Sequence, residues 1–276
     1  MQGASREAYA AFDERLDAVL ATTGADAAER AAAIGESLFA FAAMLRAQPA
    51  VRRALTDPGR SPDDRAGFAG RLVGDRVDPA AAELVEGAVR DRWASPAQLT
   101  AAVEEFGVVA YVAAADEEGR LDAVEDEVFR FGQVVQADPD LRTALLDQAA
   151  PASARRDLVH RLLRDKASPE TLRLIEQVVL GRRDRKLEAA LERVGELAAE
   201  HRERRVAVVR AAAPLSPEHR ERLERALSAQ AGRQVRLNVV VEPDLVGGLK
   251  VEIGDDVVDG TVRSRLADLQ RRLAEN

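Results

Sequence analysis

The sequence predicts a mainly α-helical protein, with two tandem helical bundles followed by a small α+β module. Alanine, leucine, glutamate and arginine are abundant and aromatic residues make up only 4% of the chain, a composition typical of helices with aliphatic cores. Serine–proline and aspartate–proline pairs precede amphipathic runs, as they do at helix starts. After Arg204 the pattern changes to alternating β-branched residues. At 276 residues the chain is also longer than one hydrophobic core usually accommodates.

Residues 1 to about 203 are predicted to form one helix after another. Near the start, apolar residues recur on one face of a helix: Tyr9, Phe12, Leu16, Val19 and Leu20. Further helices are expected after Asp78, Ser95 and Ser168, because each of these capping residues is followed by a proline suited to the first helical position. Other prolines separate the helices between them: Pro49, Pro58 and Pro62.

An internal repeat underlies the helical part. A shift of 90 positions aligns Phe39, Phe41, Pro49, Arg52, Ala54, Leu55 and Asp57 with Phe129, Phe131, Pro139, Arg142, Ala144, Leu145 and Asp147. The match continues beyond these residues, and the helix-start prolines recur in place. Chance similarity between amphipathic helices would not keep the turns in register. The sequence therefore predicts a duplication, with a first bundle at residues 1–106 and a second at residues 107–203.

Residues 204–276 are predicted to fold as a β-α-β-β-α module. The segments "RRVAVVRAAAPL" and "RQVRLNVVVE" are typical of strands, and one face of the second carries Val235, Leu237, Val239 and Val241. Between them lies a helix capped by Ser216 and begun by Pro217. "GGLKVEIGDDVVDG" indicates two strands around a turn at Gly254–Asp256. A final helix would place Val262, Leu266, Leu269 and Leu273 on one face. So small a module has a thin core, and we expect it to dock against a partner.

The composition excludes several classes of function. The chain has no cysteine, which removes disulfides, thiolate nucleophiles and cysteine-bound zinc and favours a reducing compartment. Its net charge is −8 with acids and arginines interleaved, so neither a basic groove nor stacking platforms for nucleic acid are expected. The most apolar N-terminal stretch is short and broken by Glu36. We therefore expect no signal peptide and no direct membrane insertion.

No catalytic or metal-binding constellation emerges from the residues. The histidines lack metal-ligand spacing and are expected to be solvated helix residues: His160, His201 and His219. The Gly247–Gly248 pair leads into a strand and lacks the ending of a Walker loop, which favours a structural role. Asp255, Asp256 and Asp259 fit a turn and a helix cap better than a calcium loop. No cofactor and no small-molecule substrate are expected.

Two further features each leave two interpretations open. The arginine-rich runs at Gly181–Lys186 and His201–Arg205 fit solvated faces or bundle ends, or else the docking of an acidic partner. Trp93, the single tryptophan, fits a packing residue or the mark of an interface.

The segment "VEPDLVGGLKVEIGDDVVDGTVRSRLADLQRRL" closely resembles the signature of the delta subunit of bacterial F-type ATP synthase, the family of the mitochondrial oligomycin-sensitivity-conferring protein. That signature has an acidic-proline lead, a glycine pair, a glycine-aspartate pair and an aspartate-glycine pair before a leucine-rich helix. The matching residues are Pro243, Leu245, Gly247, Gly248, Val251, Gly254, Asp255, Asp259, Gly260, Thr261, Val262, Arg263 and Leu266. The resemblance extends over residues 107–276. Residues 1–106 resemble a second copy of the family's N-terminal bundle, as in its enlarged actinobacterial form.

The resemblance implies a non-catalytic peripheral-stalk, or stator, subunit at the cytoplasmic face of the bacterial plasma membrane. In this family the N-terminal bundle binds N-terminal helices of the alpha subunits in the catalytic head. The C-terminal part binds the C-terminal ends of the membrane-anchored b subunits. The head is thereby held still, so that proton-driven rotation of the central shaft yields ATP synthesis.

Partner-binding residues are expected on the second bundle and the final helix: Val108, Tyr111, Val112, Leu172, Ile175, Val179, Val262 and Leu269. The second bundle has the more family-like opening, around Ala110–Tyr111, and is therefore favoured for the alpha contact. The first bundle could contact the b subunits or another alpha helix, or could extend the stalk. For the whole chain, the alternatives are a freestanding helical scaffold and an enzyme that binds a nucleotide at its glycine pair.

Overall fold

A computed structural model gives the structure of the protein and describes residues 3–21, 26–74, 77–181, 186–231, 235–242, 245, 248–253 and 256–259. The chain divides into two compact units, Met1–Ala198 and Ala199–Asn276.

The first unit is built from helices throughout its described residues. They are α1 (Gly3–Leu20), α2 (Ala27–Ala47), α3 (Pro49–Leu55), α4 (Pro62–Val73), α5 (Pro79–Arg90), α6 (Pro96–Glu117), α7 (Leu121–Ala137), α8 (Pro139–Leu146), α9 (Ala152–Leu163), α10 (Pro169–Leu180) and α11 (Leu187–Arg205), which continues past the unit boundary. The three helix starts predicted from aspartate–proline and serine–proline pairs are confirmed. Asp78 accepts a hydrogen bond from the Ala80 amide at 2.8 Å, and Ser168 accepts one from the Thr171 amide at 3.3 Å.

Helix α6 lies at the centre of the hydrophobic core of the first unit. Its buried residues point in all directions around the helix and include Leu99, Val103, Phe106, Ala110, Val112 and Ala115. The Phe106 ring packs against two rings of α1, with centroid distances of 4.6 Å to Tyr9 and 4.2 Å to Phe12. Trp93, just before α6, is 8% exposed and donates its indole hydrogen to the Ala88 carbonyl at 2.7 Å. It is a packing residue.

Helices α2 and α6 approach each other closely because two glycines face the contact. A Cβ atom built on Gly107 would lie 2.6 Å from the Phe39 ring, and one built on Gly35 would lie 2.5 Å from the Tyr111 ring. Such distances are too short for real contacts, so the two aromatic rings occupy the space that side chains at these positions would need. The tight α2–α6 contact therefore depends on these glycines.

The predicted repeat has a structural counterpart. Moving 90 positions along the chain takes α2–α5 onto α7–α10 in the same order, and similar hydrogen bonds recur. Arg65 donates to the Arg90 carbonyl at 2.9 Å, and its equivalent Arg155 donates at 3.1 Å to the Val179 carbonyl, one position before the equivalent of Arg90. Likewise, the backbone amide of Asp78 donates to a side-chain oxygen on α2, and the backbone amide of Ser168 donates to a side-chain oxygen on α7.

Helix α6 belongs to both repeats. It runs without a break from Pro96 to Glu117 and so crosses the predicted bundle boundary at 106/107. It is the sixth helix of the first repeat and the first helix of the second. One continuous core cluster accordingly extends from Ala8 to Ala198. We retain the division into residues 1–106 and 107–203 as a proposal about duplicated sequence.

The described part of the second unit contains a mixed sheet and one helix. Its elements are β1 (Val206–Ala211), α12 (Pro217–Ala231), β2 (Arg236–Val241), β3 (Leu249–Ile253) and β4 (Asp256–Asp259). The strand order across the sheet is β2-β1-β3-β4. Strand β1 pairs in parallel with β2 through the α12 crossover, whereas β1–β3 and β3–β4 are antiparallel. The predicted capping residue Ser216 accepts a hydrogen bond from the His219 amide at 3.3 Å.

A small apolar core lies between α12 and one face of the sheet. It contains Ala207, Val209, Leu227, Val235, Leu237 and Val251. Arg220 of α12 fixes the helix to the sheet by donating to the Leu237 carbonyl at 2.8 Å. Val239 packs against this core as expected, but Val241 is 44% exposed because the edge strand β2 ends there. The face predicted for β2 is thus buried only as far as Val239.

These elements confirm a mainly α protein with a small α+β module. The predicted β-α-β-β-α order contains three strands, whereas the described residues form four. Both arms of the β3–β4 hairpin are strands, in addition to β1 and β2. The register pairs Ile253 with Asp256, so Asp256, predicted to lie in the turn, begins β4 instead. Asp259 ends β4. The final helix, with Leu266 and Leu273, lies outside the described residues.

Replacing Gly107 with alanine should destabilise the protein by about 1–3 kcal/mol, because the new methyl group would overlap the Phe39 ring. The matched control is Gly195→Ala on α11, where an added Cβ meets no atom within 4 Å. That substitution should be neutral or should stabilise by up to ~1 kcal/mol through helix propensity. Urea unfolding of both variants measures the difference, and equal midpoints would contradict the close-packing argument.

Replacing Gly248 with valine should destabilise the C-terminal unit by roughly 1–3 kcal/mol. Gly248 has a φ of 87°, a region that β-branched residues avoid. Gly248→Asn is the matched variant, since asparagine tolerates positive φ better, and its loss should be smaller. Thermal unfolding followed by circular dichroism measures both, and equal losses would show that φ is not the cause.

Candidate partner-binding surface

The structure places the predicted partner-binding residues on α6 and α10, with different degrees of burial. Val112 and Ile175 have no exposed surface, Val179 is 3% exposed and Val108 is 9% exposed. Tyr111 and Leu172 are partly buried. The fully buried side chains contact the chain itself and form the layer beneath the surface. Val262 and Leu269 lie outside the described residues. A partner-binding role for this set stays a prediction.

Part of this α6–α10 surface is covered by α2 of the same chain. The Tyr111 ring stacks on Phe39 of α2 with a centroid distance of 5.5 Å, and the Tyr111 hydroxyl donates to Glu36 at 3.1 Å. Arg173 of α10 donates two hydrogen bonds to the Glu36 carboxylate, at 2.7 and 2.6 Å. The Arg173 guanidinium also lies 5.6 Å from the centre of the Phe39 ring. We call these four residues the Glu36 cluster.

The Glu36 cluster is held together by charge as well as by ring contacts. Burial alone would raise the pKa of Glu36, but the hydrogen bonds and positive charge of Arg173 outweigh that effect and lower its pKa below 4.5. Burial, followed by the negative charge of Glu36, raises the pKa of Tyr111 to about 12. Glu36 is therefore a carboxylate and Tyr111 a neutral hydrogen-bond donor at neutral pH.

Next to this cluster, a cleft of about 90 Å³ opens between α6, α10 and α11. Its apolar lining consists of Phe39, Ala101, Val108, Val178, Ala190, Val194 and Leu197. The volume is well below the roughly 300–1,000 Å³ of pockets that bind small molecules. A cleft of this size and composition fits apolar side chains projecting from a helix rather than a substrate.

Charged side chains form one edge of the cleft. Arg193 of α11 donates to Glu105 of α6 at 2.8 Å, and Tyr9 of α1 donates to the same carboxylate at 3.1 Å. Burial and the neighbouring Glu105 raise the pKa of Tyr9, which keeps its hydroxyl protonated. Glu104 and Gln177 complete the polar lining. This edge supplies hydrogen-bonding groups beside an apolar floor.

Few of the family-signature residues lie in the described part of the chain. Leu245 donates its amide to the Glu242 carbonyl at 3.1 Å, Gly248 precedes β3 with positive φ, and Asp259 ends β4. Val251 is buried in β3. The others lie outside the described residues: Pro243, Gly247, Gly254, Asp255, Gly260, Thr261, Val262, Arg263 and Leu266. The positive φ of Gly248 agrees with the structural role expected for the glycine pair.

His160 and His219 each lie close to a polar side chain of the same chain. His160 is partly buried and lies 3.3 Å from Glu176, and His219 lies 3.1 Å from Ser216. Within the described ranges, no three or more histidine, aspartate or glutamate side chains are grouped so that they could hold a metal ion. A membrane-spanning helix, long and apolar enough to cross, is likewise not found among the described helices.

Sequence reasoning missed the Glu36 cluster. In the sequence, Glu36 stands out only as the residue that interrupts an apolar stretch, and that interruption is the available signal. Its partner Arg173 is 137 positions away, so the pairing follows from the packing of α2 beside α6 and α10. A charge inside an apolar helix face marked the position but did not identify the partner.

Comparisons with known proteins agree with the resemblance in the C-terminal signature. The family ATP synthase delta (OSCP) subunit matches residues 108–273. A protein of Streptomyces avermitilis named ATP synthase subunit delta is 46% identical, with 99% of this chain and 98% of that protein covered. One of the same name from Streptomyces griseus is 45% identical, with 99% and 100% covered. A chain in a cryo-EM structure of the Toxoplasma gondii mitochondrial ATP synthase hexamer is 20% identical, covers 60% of this chain and 97% of its own length, and has a TM-score of 0.31, too low to inform the fold.

The ion pair of Glu36 should make stability depend on pH. Folding lowers the Glu36 pKa, so the ion pair's contribution to stability is present above about pH 4.5. That contribution is lost as the pH falls through the lower pKa of Glu36 in the folded state. Its side chain is 52% exposed, so the contribution should not exceed about 1 kcal/mol. Urea unfolding at pH 7 and pH 3 should show a smaller loss for Glu36→Gln than for the wild type. The exposed α1 variant Glu14→Gln should follow the wild-type curve, and a Glu36→Gln curve parallel to both would contradict the assignment.

Proposed function

The chain belongs to the ATP synthase delta (OSCP) subunit family, whose members are non-catalytic peripheral-stalk subunits, and we propose that it acts as a stator by linking the alpha subunits to the b subunits. Residues 107–203 would bind N-terminal helices of the alpha subunits, and residues 204–276 would bind the C-terminal ends of the b subunits. The link would keep the catalytic head from turning with the central shaft while proton flow drives ATP synthesis.

The observation that carries this proposal is the full-length similarity to proteins named ATP synthase subunit delta, which includes the duplicated first bundle. The alignment with the Streptomyces avermitilis protein covers 99% of this chain. The family match at residues 108–273 begins within α6. The second repeat and the C-terminal unit therefore correspond to the family's common part.

Surface chemistry in the second repeat supports an alpha contact there. The cleft between α6, α10 and α11 has an apolar floor that includes Val108 and a polar edge that includes Glu105 and Arg193. A groove with this pattern suits an amphipathic helix, which inserts apolar side chains and forms hydrogen bonds along one side. Partly exposed Tyr111 and Leu172 lie on two of these helices, α6 and α10.

The C-terminal unit offers a different kind of surface for the b subunits. Edge strand β2 exposes Val240 and Val241, at 39% and 44%. Exposed apolar side chains on an edge strand are suited to partner contact. Contact with membrane-anchored b subunits would place the protein peripherally at the cytoplasmic face of the plasma membrane.

Photocrosslinking in the assembled complex tests the alpha contact. A photoreactive residue at Ala190, which lines the cleft, should crosslink to an alpha N-terminal helix because the cleft floor would be covered by that helix. Ala189 is the matched control, since it is exposed, adjacent in α11 and not part of the cleft lining. Predominant crosslinking of alpha N-termini to residues 1–106 would overturn the assignment to the second repeat.

Affinity purification separates the stator from a freestanding helical scaffold. A tagged chain isolated from detergent-solubilised membranes should bring down both alpha and b subunits in stable ratio. Recovery of the chain without them would favour the scaffold instead.

A further inference from the structure

A second surface of the helical unit, distinct from the cleft above, lies between α7 and α11. It is a groove of about 410 Å³, which we call the Phe129 groove. It is lined by Glu125, Val128, Phe129, Gly132, Gln133, Gln136, Glu188, Leu191, Glu192, Gly195 and Glu196. The floor is apolar, with Val128, Leu191 and two glycines, and four glutamates form its rim.

Phe129 is the most unusual side chain in this groove. It is 66% exposed, more than any other large hydrophobic residue in the described part of the chain. An exposed aromatic ring in an apolar groove with a polar rim is typical of a protein interaction site. The lining contains carboxylates but neither lysine nor arginine. Two of its glutamates pair with arginines outside the lining, Glu188 with Arg142 at 3.4 Å and Glu196 with Arg193 at 3.0 Å, and these partly exposed pairs are weak enough to be exchanged. The groove is therefore complementary to an apolar surface that carries positive charge.

The repeat shows what covers this position in the other half of the unit. A shift of 90 positions takes Glu36 and Phe39 of α2 onto Asp126 and Phe129 of α7. Phe39 is only 2% exposed, because Tyr111 stacks on it and Arg173 lies over it while pairing with Glu36. In the first repeat, the acidic residue and the phenylalanine are therefore covered by a tyrosine and an arginine.

The two repeats differ in sequence at this helix contact. Phe39 packs against α6 at Gly107, where a Cβ would lie 2.6 Å from the ring. The equivalent residue on α11 is Leu197, a buried side chain that lines the cleft beside Val108 and not the Phe129 groove. Likewise, Gly35 on α2 is replaced by Glu125 on α7. The α7–α11 pair therefore lacks both glycines of the α2–α6 contact, and the Phe129 groove lies between these two helices.

We propose that the Phe129 groove binds a basic amphipathic helix from another subunit of the ATP synthase. An apolar residue of that helix covers Phe129, and an arginine or lysine pairs with Asp126 and the glutamate rim. Asp126 pairs with Arg130 at 2.6 Å, but both side chains are about two-thirds exposed, so this weak surface pair is readily exchanged. The proposal rests on the stator function for the source of the helix, and the groove is separate from the alpha-binding cleft.

Rebinding of the full-length chain to membranes depleted of it tests the proposal. Phe129→Ala should weaken rebinding about tenfold or more, as expected when a central aromatic anchor is removed. Asp126→Arg should also weaken it, and the wild-type affinity should fall with added salt. The matched control Val134→Ala removes another exposed α7 side chain, 51% exposed and outside the groove, and should stay within about twofold of wild type. All variants should unfold at the wild-type urea midpoint.

Photocrosslinking from position 129 in the assembled complex identifies the occupant. A crosslink to a basic helix of another subunit supports the proposal, whereas a crosslink to a second copy of this chain, or none in a complex that contains the chain, overturns it. If wild type rebinds and Phe129→Ala rebinds equally, the groove proposal alone fails. If wild type does not rebind at all, the stator function fails and the groove proposal fails with it.

Discussion

The close contact between α2 and α6 is the constraint on which the helical unit depends. Two glycines, Gly35 and Gly107, leave room for the rings of Tyr111 and Phe39, respectively. With α2 seated on α6, Glu36 comes within reach of Arg173 on α10. The resulting bidentate pair connects helices from both repeats. Most of the circumference of α6 is buried and apolar, and the exception is the cleft edge that carries Glu104 and Glu105.

Sharing α6 explains how a duplicated bundle forms one core instead of two. A helix that ends one repeat and begins the next must satisfy neighbours from both, so neither repeat can move away from it without exposing apolar surface. The equivalent helix at the other end is α11. Its α7-facing side borders the open Phe129 groove, and Phe129 stays exposed where Phe39 is covered. The same residue type in the same repeat position therefore contributes to a core in one half and to a surface in the other.

A stator needs surfaces that hold partners firmly more than it needs reactive groups. The two openings of the helical unit differ in a way that suits different helices. The cleft beside Val108 has both a carboxylate and an arginine at its edge, whereas the Phe129 groove has carboxylates without a basic lining residue. Such differences in charge pattern distinguish one amphipathic helix from another.

The sequence by itself determined the class of fold, the proline-marked helix starts at Pro79, Pro96 and Pro169, the repeat and the family. These features depend on local capping, on periodicity and on a dense signature, all of which are present within short segments. Only the tertiary structure decided which apolar residues are core. Val112 and Ile175 belong to the same kind of apolar stripe as Leu172, yet they are fully buried and Leu172 is partly exposed. A stripe shows that one face of a helix avoids water, but what covers that face depends on residues far away in the chain, as Arg173 and Glu36 show.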